Sequence, residues 1–334
     1  MLHNLNIISS KELWNFVCFS FWLSLWFLGL CVLLSYLLRW WSGDQLLPVR
    51  LISYLMPWLL IILIPALIVA GMAHRKWLVL TLLAPTIFIC LTYARLFLPS
   101  LGATQSELMP IKVMSYNIWR NNNDMVAVAQ VIRKEQPDIL LLQELKPARV
   151  DRLTGALVNL YSDAELHFIY EPKMLQGVIS RYPITSMGAF PNKGLAQKVL
   201  IEIPDSPIMV FNIHPIKQSG WLRRYRQISA LLAEDITTTN GPLILGGDFN
   251  TTDQTQTYRM VNKHLRDAHW EAGYGFGFTY PASIFIFGGK VLIPPLVRID
   301  HIFYNDHLVP QRARTLKESG GSDHFPVVAE FLKS

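Results

Sequence analysis

The chain has 334 residues, 51% of them hydrophobic, and a formal net charge of +6. Residues 1–103 carry only Lys11, Arg39, Arg50, Arg75, Lys76 and Arg95 against Glu12 and Asp44, so residues 104–334 hold 24 of the 30 cations and 22 of the 24 anions. This division excludes a fully soluble chain, a disordered one and a disulfide scaffold, and the +2 left on the charged part excludes a strongly basic nucleic-acid coat.

Three apolar runs without an acid, lysine or arginine open the chain: 13–38, 51–73 and 77–94, the last extended to 97 because Arg95 can snorkel. A helix needs about 20 apolar residues to cross the hydrocarbon core. The spacing predicts three membrane spans over 1–98, at about 13–38, 51–73 and 77–97. Pro57, Pro65 and Pro85 are compatible with membrane bundles, and Trp40, Trp41, Trp58 and Trp77 sit near span ends as interfacial aromatics do. The first run is too long for the apolar core of a signal peptide. With the N-terminus inside, Lys11, Arg75 and Lys76 outnumber Arg39 and Arg50 opposite them, and three spans then put the C-terminal part outside the cytoplasm. Cys18, Cys31 and Cys90 all lie within the runs, so cysteine usage says nothing of compartment. The aperiodic stretch 99–110, with Pro, Gly and Ser, reads as a linker.

Residues 111–334 make one domain of 224 residues without internal repeats. Lys112–Trp119 reads as a strand and Asp124–Glu135 as a helix with Met125, Val128, Val131 and Ile132 on one face. Asp138–Glu144 is nearly all apolar and reads as a strand buried on both faces. Further strands are expected at Gly177–Ile184, Lys198–Ile203, Ile208–His214, Pro242–Phe249, Arg298–Tyr304 and Pro326–Phe331, and a helix at Trp221–Asp235. Alternating strands and helices imply an α/β or α+β layered domain, and the alternation alone does not exclude a parallel sheet.

The strands end in polar residues: Ser115-Tyr116-Asn117, Leu142-Gln143-Glu144, Phe211-Asn212-Ile213-His214, Gly246-Gly247-Asp248-Phe249-Asn250, Arg298-Ile299-Asp300-His301 and Gly321-Ser322-Asp323-His324. One such end is a turn or a cap; six together are a candidate site. The set offers four carboxylates (Glu144, Asp248, Asp300, Asp323), two amides (Asn117, Asn250) and two imidazoles (His214, His324), with no serine elbow, cysteine or phosphate loop. Converging carboxylates repel unless a cation neutralises them, and hard oxygen donors select Mg²⁺, with Mn²⁺ or Ca²⁺ as alternatives. The chemistry that follows is metal-assisted attack of water on a phosphoester. His301 should point to the opposite face from Asp300, and Arg181 is expected to serve a structural ion pair.

These ordered motifs, above all Gly-Asp-Phe-Asn and the terminal Ser-Asp-His, resemble the endonuclease/exonuclease/phosphatase (DNase-like) superfamily, and most of all its bacterial members with N-terminal membrane helices. The resemblance covers essentially all of 111–334. It implies a four-layered α/β (α+β) sandwich, two mainly antiparallel sheets flanked by helices. It also implies roles: Glu144 as principal metal ligand with Asn117 beside it and Asp323 near the metal; Asp248 orienting or deprotonating water; Asn250 holding the phosphate; Asp300 orienting His324, which binds a phosphoryl oxygen or moves a proton; and His214 as a second catalytic histidine.

The substrate is less fully written. Lys217, Arg223, Arg224 and Arg226, interleaved with Trp221 and Tyr225, suit a nucleic-acid backbone, anionic lipid headgroups or simply a solvated helix face. Ser283–Leu296 is an apolar loop or hairpin that either packs on protein or dips into lipid. The expected function is a membrane-anchored, divalent-metal-dependent phosphodiesterase of nuclease type in a bacterial inner or plasma membrane, with the lipid bilayer and a phosphodiester (nucleic acid or phospholipid) as partners. The alternatives are a phospholipid or sphingolipid phosphodiesterase, an inositol-phosphate-type phosphatase, or a non-catalytic membrane adaptor.

Overall fold

A computed structural model of the chain describes residues 9–98, 109–189, 196–204, 206–215, 220–286 and 289–334, and residues 99–108 of the expected linker fall outside them. The chain divides into two units, parted between Ala94 and Arg95.

In the first unit, helix α1 (Ser10–Leu38) starts at a capping box: Ser9 Oγ accepts from the Glu12 amide and the Glu12 carboxylate accepts from the Ser9 amide. Pro57 divides the second apolar run into α2 (Leu47–Leu55) and α3 (Leu59–Met72) around a 3-10 turn, because its ring removes an N–H and crowds the preceding turn. Helix α4 (Lys76–Tyr93) keeps Pro85 inside, buried. The spans Ser10–Leu38, Leu47–Met72 and Lys76–Phe97 are each long and apolar enough to cross a membrane. Gly29 lets α1 approach α4, since a Cβ there would stand 3.1 Å from Leu82 and Thr81 atoms. The outward faces carry exposed Trp14, Phe16, Phe19 and Phe27.

The second unit is a sandwich. Its strands and helices follow in the order β1 (Ile111–Asn117), α5 (Met125–Glu135), β2 (Ile139–Gln143), α6 (Pro147–Leu157), β3 (His167–Glu171), β4 (Gln176–Ser180), β5 (Ile184–Ala189), β6 (Ala196–Ile201), β7 (Ile208–Ile213), α7 (Gly220–Leu231), β8 (Leu243–Asp248), α8 (Gln256–Val261), β9 (Arg266–Asp267), α9 (Ala268–Ala272), β10 (Ser283–Ile286), β11 (Gly289–Leu292), β12 (Asp300–Tyr304), β13 (Leu308–Thr315) and β14 (Val327–Lys333). The first sheet runs β13-β14-β1-β2-β4-β3 and the second β5-β6-β7-β8-β12-β9, while β10 and β11 form a separate hairpin. Only β1/β2 and β7/β8 pair in parallel among these ladders. The expected sandwich of two mainly antiparallel sheets is therefore present, with one parallel pair at the centre of each.

Strand alternation builds the layers. Val113, Ile139, Leu141 and Val178 of the first sheet meet Val199, Val210, Ile244 and Ile302 of the second in the central core. The alternate residues Met114, Tyr116, Leu140 and Leu142 face Val128, Ile132, Leu153 and Leu157 of α5 and α6. On the far side, Phe211, Ile213 and Leu245 meet Ile228 and Leu231 of α7 and Tyr258 and Val261 of α8. This is why β2 is apolar from Ile139 to Leu142: both of its faces are interior.

The expected single strand Gly177–Ile184 is corrected. It splits at Arg181-Tyr182-Pro183 into β4 of the first sheet and β5 of the second. Pro183 has no N–H for a ladder, and Arg181 leaves the strand to pair with Asp138 at 2.9 Å and Asp163 at 2.6 Å.

Gly247 sits at φ +149, and a Cβ there would lie 1.9 Å from the Ile213 carbonyl oxygen of the neighbouring strand. Gly155, on α6, has open space around it. We expect Gly247→Ala to destabilise the second unit by about 3 kcal/mol or more and Gly155→Ala to stabilise it by about 0.5–1 kcal/mol. Thermal unfolding of the purified full chain in detergent reads both; equal midpoints would contradict the geometry.

Candidate active site

Topology collects the polar strand ends at one edge. In each sheet the two central strands are parallel, so their C-terminal ends emerge side by side: Asn117 ends β1 and Glu144 follows β2, while His214 follows β7 and Asp248 ends β8. Each pair is flanked by an antiparallel strand that begins at the same edge. Strand β12 opens with Asp300 directly opposite Asp248, and β14 starts just after Asp323-His324, alongside β1. Glu144 and Asn250 both adopt left-handed backbone conformations, at φ 61 and 50. Such conformations are uncommon outside glycine and cluster at functional sites.

Hydrogen bonds join the two halves. Asn117 Nδ2 donates to Asp248 Oδ2 at 3.0 Å, across the sandwich. Asp248 also accepts from the Asn250 amide N–H at 2.8 Å and from Asn250 Nδ2 at 3.3 Å. His324 Nδ1 pairs with Asp300 Oδ2 at 2.9 Å, and its Nε2 lies 3.8 Å from Asp248 Oδ2. His214 Nε2 stands 3.6 Å from both Glu144 Oε1 and Asp248 Oδ2. Glu144 Oε2 accepts from the Arg120 amide at 2.7 Å. Asp248, Asp300 and His324 are buried.

The electrostatics separate the roles open to these groups. Burial opposes ionisation of Asp248, but His324, His214, the Asn250 N–H and the Asn117 amide outweigh it and hold the carboxyl below its usual range. Burial likewise opposes charge on His324, yet Asp300 and Asp248 push its pKa up to about 10. Asp323 shifts the other way: burial first, then the charges of Glu144 and Asp248, raise it against the opposing pull of His324. Its Oδ1 is buried without a hydrogen-bond partner, as is Asp300 Oδ1. Crowded acids with idle oxygens are the donor set that a divalent cation satisfies.

Asp248, Asp300 and His324 place ligand atoms within 4.8 Å of one another, a buried group able to hold a metal ion. That trio differs from the expected ligands Asn117, Glu144 and Asp323. Asp300 Oδ2 and His324 Nδ1 are paired with each other, which leaves Asp300 Oδ1 as that trio's idle carboxylate oxygen. Glu144 and Asp323, close enough for the charge of one to raise the other, add two further carboxylates of the kind that a hard ion takes.

The basic cluster does not gather as one patch. Lys217 falls outside the described residues. Arg223 and Arg226 are exposed on α7, beside Trp221 and Tyr225, whose rings lie 6.5 Å apart. Arg224 departs from the expected surface role: it is buried and donates through Nη1 to the Asn250 carbonyl. It shares the helical stripe of Ile228 and Leu231, at spacings of four and seven, and so turns inward.

Several supporting residues were not foreseen as part of the site. Ser322 Oγ donates to the Asn117 carbonyl at 2.7 Å and accepts from the His324 amide at 3.0 Å, tying β1 to the Ser-Asp-His turn. The Tyr280 ring lies 4.8 Å from the His324 imidazole. Gln143 Nε2 donates to Asn212 Oδ1 at 2.8 Å across the two sheets, beneath Glu144 and His214. The strand-end positions of Gln143 and Asn212 were a usable signal, because a buried amide must find a partner. His301 turns away from the site, with Nε2 2.9 Å from the Thr251 carbonyl.

Comparison with known proteins places this geometry. The Endonuclease/Exonuclease/phosphatase family profile matches residues 114–324. No curated protein matches the chain. Among solved structures, the endonuclease/exonuclease/phosphatase from Bacteroides vulgatus aligns with TM-score 0.55 and 17% identity, over 68% of this chain and 100% of its own. The mannosyl-6-phosphatase of Bacteroides thetaiotaomicron VPI-5482 aligns with TM-score 0.52 and 19% identity, over 66% and 99%. The human Nocturnin catalytic domain with bound sulfate anion aligns with TM-score 0.51 and 21% identity, over 69% and 97%. At such identities these structures establish the shared fold, while the profile spans the strand from Met114 to the Ser-Asp-His turn. The chain belongs to the endonuclease/exonuclease/phosphatase family and is a phosphoester hydrolase.

Proposed function

We propose that the chain is a membrane-anchored, Mg²⁺-dependent phosphodiesterase with nuclease-type preference. The observation that carries this reading is the opposition of Asp248 and His324, an ionised acid and a protonated imidazole 3.8 Å apart at the edge of the sandwich. Glu144, with Asn117 and Asp323 beside it, would hold Mg²⁺, which would supply charge neutralisation to the phosphoryl group. Asp248 accepts a proton from the attacking water as its oxygen bonds to phosphorus; the P–O ester bond then breaks, and the leaving oxygen takes a proton from solvent to depart as an alcohol. His324, oriented by Asp300, donates to a phosphoryl oxygen and stabilises the charge that builds there. The Asn250 side-chain amide lies 3.3 Å from Asp248 Oδ2 and from the Pro215 carbonyl, at the edge where the phosphate-holding role is proposed for it. His214 offers a second imidazole beside Glu144 and Asp248.

Generic phosphodiester hydrolysis should require Mg²⁺, stop with chelator and resume on its return. Asp248→Ala and His324→Ala should each lower kcat/KM by about 10²–10⁴ without unfolding the domain. Unchanged rates in both variants would remove the mechanism.

The nucleic-acid preference rests on α7, where Arg223 and Arg226 are exposed and Trp221 and Tyr225 half-buried, a mixture suited to phosphates and bases. In a parallel assay on single-stranded DNA, duplex DNA and phospholipid vesicles, single-stranded DNA should be cut best. Arg223→Ala with Arg226→Ala should lower that rate and flatten its salt dependence. Hydrolysis of vesicles alone would transfer the assignment to lipids.

The orientation proposed from the Lys11, Arg75 and Lys76 excess puts the hydrolase outside the cytoplasm. Protease added to spheroplasts should then digest it without lysis; protection until lysis would reverse the orientation.

A further inference from the structure

Both backbone torsions of Asn250 are pinned, and by different parts of the fold. Its N–H is tied to Asp248 Oδ1 at 2.8 Å, which fixes the peptide plane before it. Its carbonyl accepts from Arg224, which fixes the plane after it. Between these two bonds Asn250 holds φ 50, a conformation that an unrestrained asparagine adopts only in a minority of its population. Arg224 reaches this carbonyl from the inner face of α7, where a helical stripe otherwise filled by Ile228 and Leu231 is given over to a guanidinium. Burying an arginine there is costly unless it has a fixed acceptor.

We propose that Arg224 is a positioning residue for hydrolysis: it sets the torsion that aims the Asn250 amide at the phosphate, without itself touching substrate. This rests on the reading of Asn250 as the phosphate-holding amide. The geometry carries a second consequence. Helix α7 presents Arg223 and Arg226 to solvent on one side and Arg224 to Asn250 on the other, so a displacement of the helix reaches the amide through the bond from Arg224 to the Asn250 carbonyl.

The test uses the full chain in detergent, with single-stranded DNA as substrate and Arg224→Ala, Arg224→Lys and Asp248→Ala as variants. Arg224→Ala should lower kcat by about 10–100-fold, the scale expected for a misplaced reacting group, while KM changes by less than about threefold. Free guanidinium at millimolar concentration should restore part of that loss in Arg224→Ala and none in Asp248→Ala. Arg224→Lys, which keeps the charge and should fold wherever the alanine variant does not, should fall between wild type and Arg224→Ala. An independent readout is hydrogen exchange. In Arg224→Ala the amides of residues 249–251 should exchange faster, while those of β7 and β12 keep wild-type protection. Unchanged kcat with unchanged exchange at 249–251 would overturn the proposal. So would a loss of rate that tracks the folded fraction alone and that guanidinium does not restore. Should the wild-type chain hydrolyse no phosphodiester, the functional reading fails, and the exchange comparison still decides whether Arg224 holds Asn250.

Discussion

The hydrogen bond from Asn117 to Asp248 is the constraint on which the site depends. The two residues end central strands of different sheets, and apolar packing between those sheets is non-directional. Val113, Leu141, Val210 and Ile244 fix how far apart the sheets lie but tolerate sliding. Polar bonds do not. The Asn117–Asp248 bond at the edge, and Gln143–Asn212 beneath it, convert a hydrophobic contact into a register. Asn212 adds bonds to the carbonyls of Leu142 and Gly177, so one amide of the second sheet is fastened to two strands of the first. A shift of one sheet would leave several buried polar groups without partners, each costing about 1–3 kcal/mol.

Much of this was legible in the sequence because strand periodicity and strand-end chemistry are both local signals. Val113 and Leu141 alternate with Met114 and Leu142, and that alternation places Asn117 and Glu144 at the ends of their strands. Local signals also separate Asp300 from His301, since neighbours on a strand face opposite ways. Where reading fell short, the deciding interaction was remote. Arg224 lies among basic residues in sequence, yet its acceptor is 26 residues away on a loop that the helix must first pack against. The run Gly177–Ile184 looks like one strand until Arg181 finds Asp138, 43 residues earlier, and the chain crosses between sheets. Tyr280 carries no unusual signature of its own; its place at the site comes only from the His324 imidazole that the fold sets opposite it.

Behind the site lies a buried charged network whose cost needs a reason. Arg298 makes a two-pronged bond to Asp267, at 3.1 and 2.7 Å, and lies 3.6 Å from Asp253. Tyr258 donates to Asp267, and Trp270 to Asp253. Burial disfavours every charge here, but Arg298 and His301 hold the Asp267 carboxyl well below its usual range. Apolar residues of similar volume would stabilise the fold as well or better. What they would not do is fix direction. Arg298 and His301 flank Asp300 in sequence, and His301 also reaches the Thr251 carbonyl, one residue beyond Asn250.

The network therefore grips β12 and the loop after β8 from behind, while Asn117 and Arg224 hold the same segment from the front and side. This arrangement answers a difficulty inherent in crowding acids. Asp248, Asp300, Asp323 and Glu144 repel one another, and a flexible loop would relieve that repulsion by moving its carboxylates outward into water. Here Asp248 is clamped by four donors or cations, and Asp300 is fixed between the Thr279 hydroxyl at its amide and His324 at its carboxylate. Burial first, and then the fixed charges of Glu144 and Asp248, raise the Asp323 carboxyl, whose Oδ1 is buried without a hydrogen-bond partner. Rigidity supplied by the core is what keeps the four acids together at the edge of the sandwich, the arrangement on which the proposed metal-assisted hydrolysis rests.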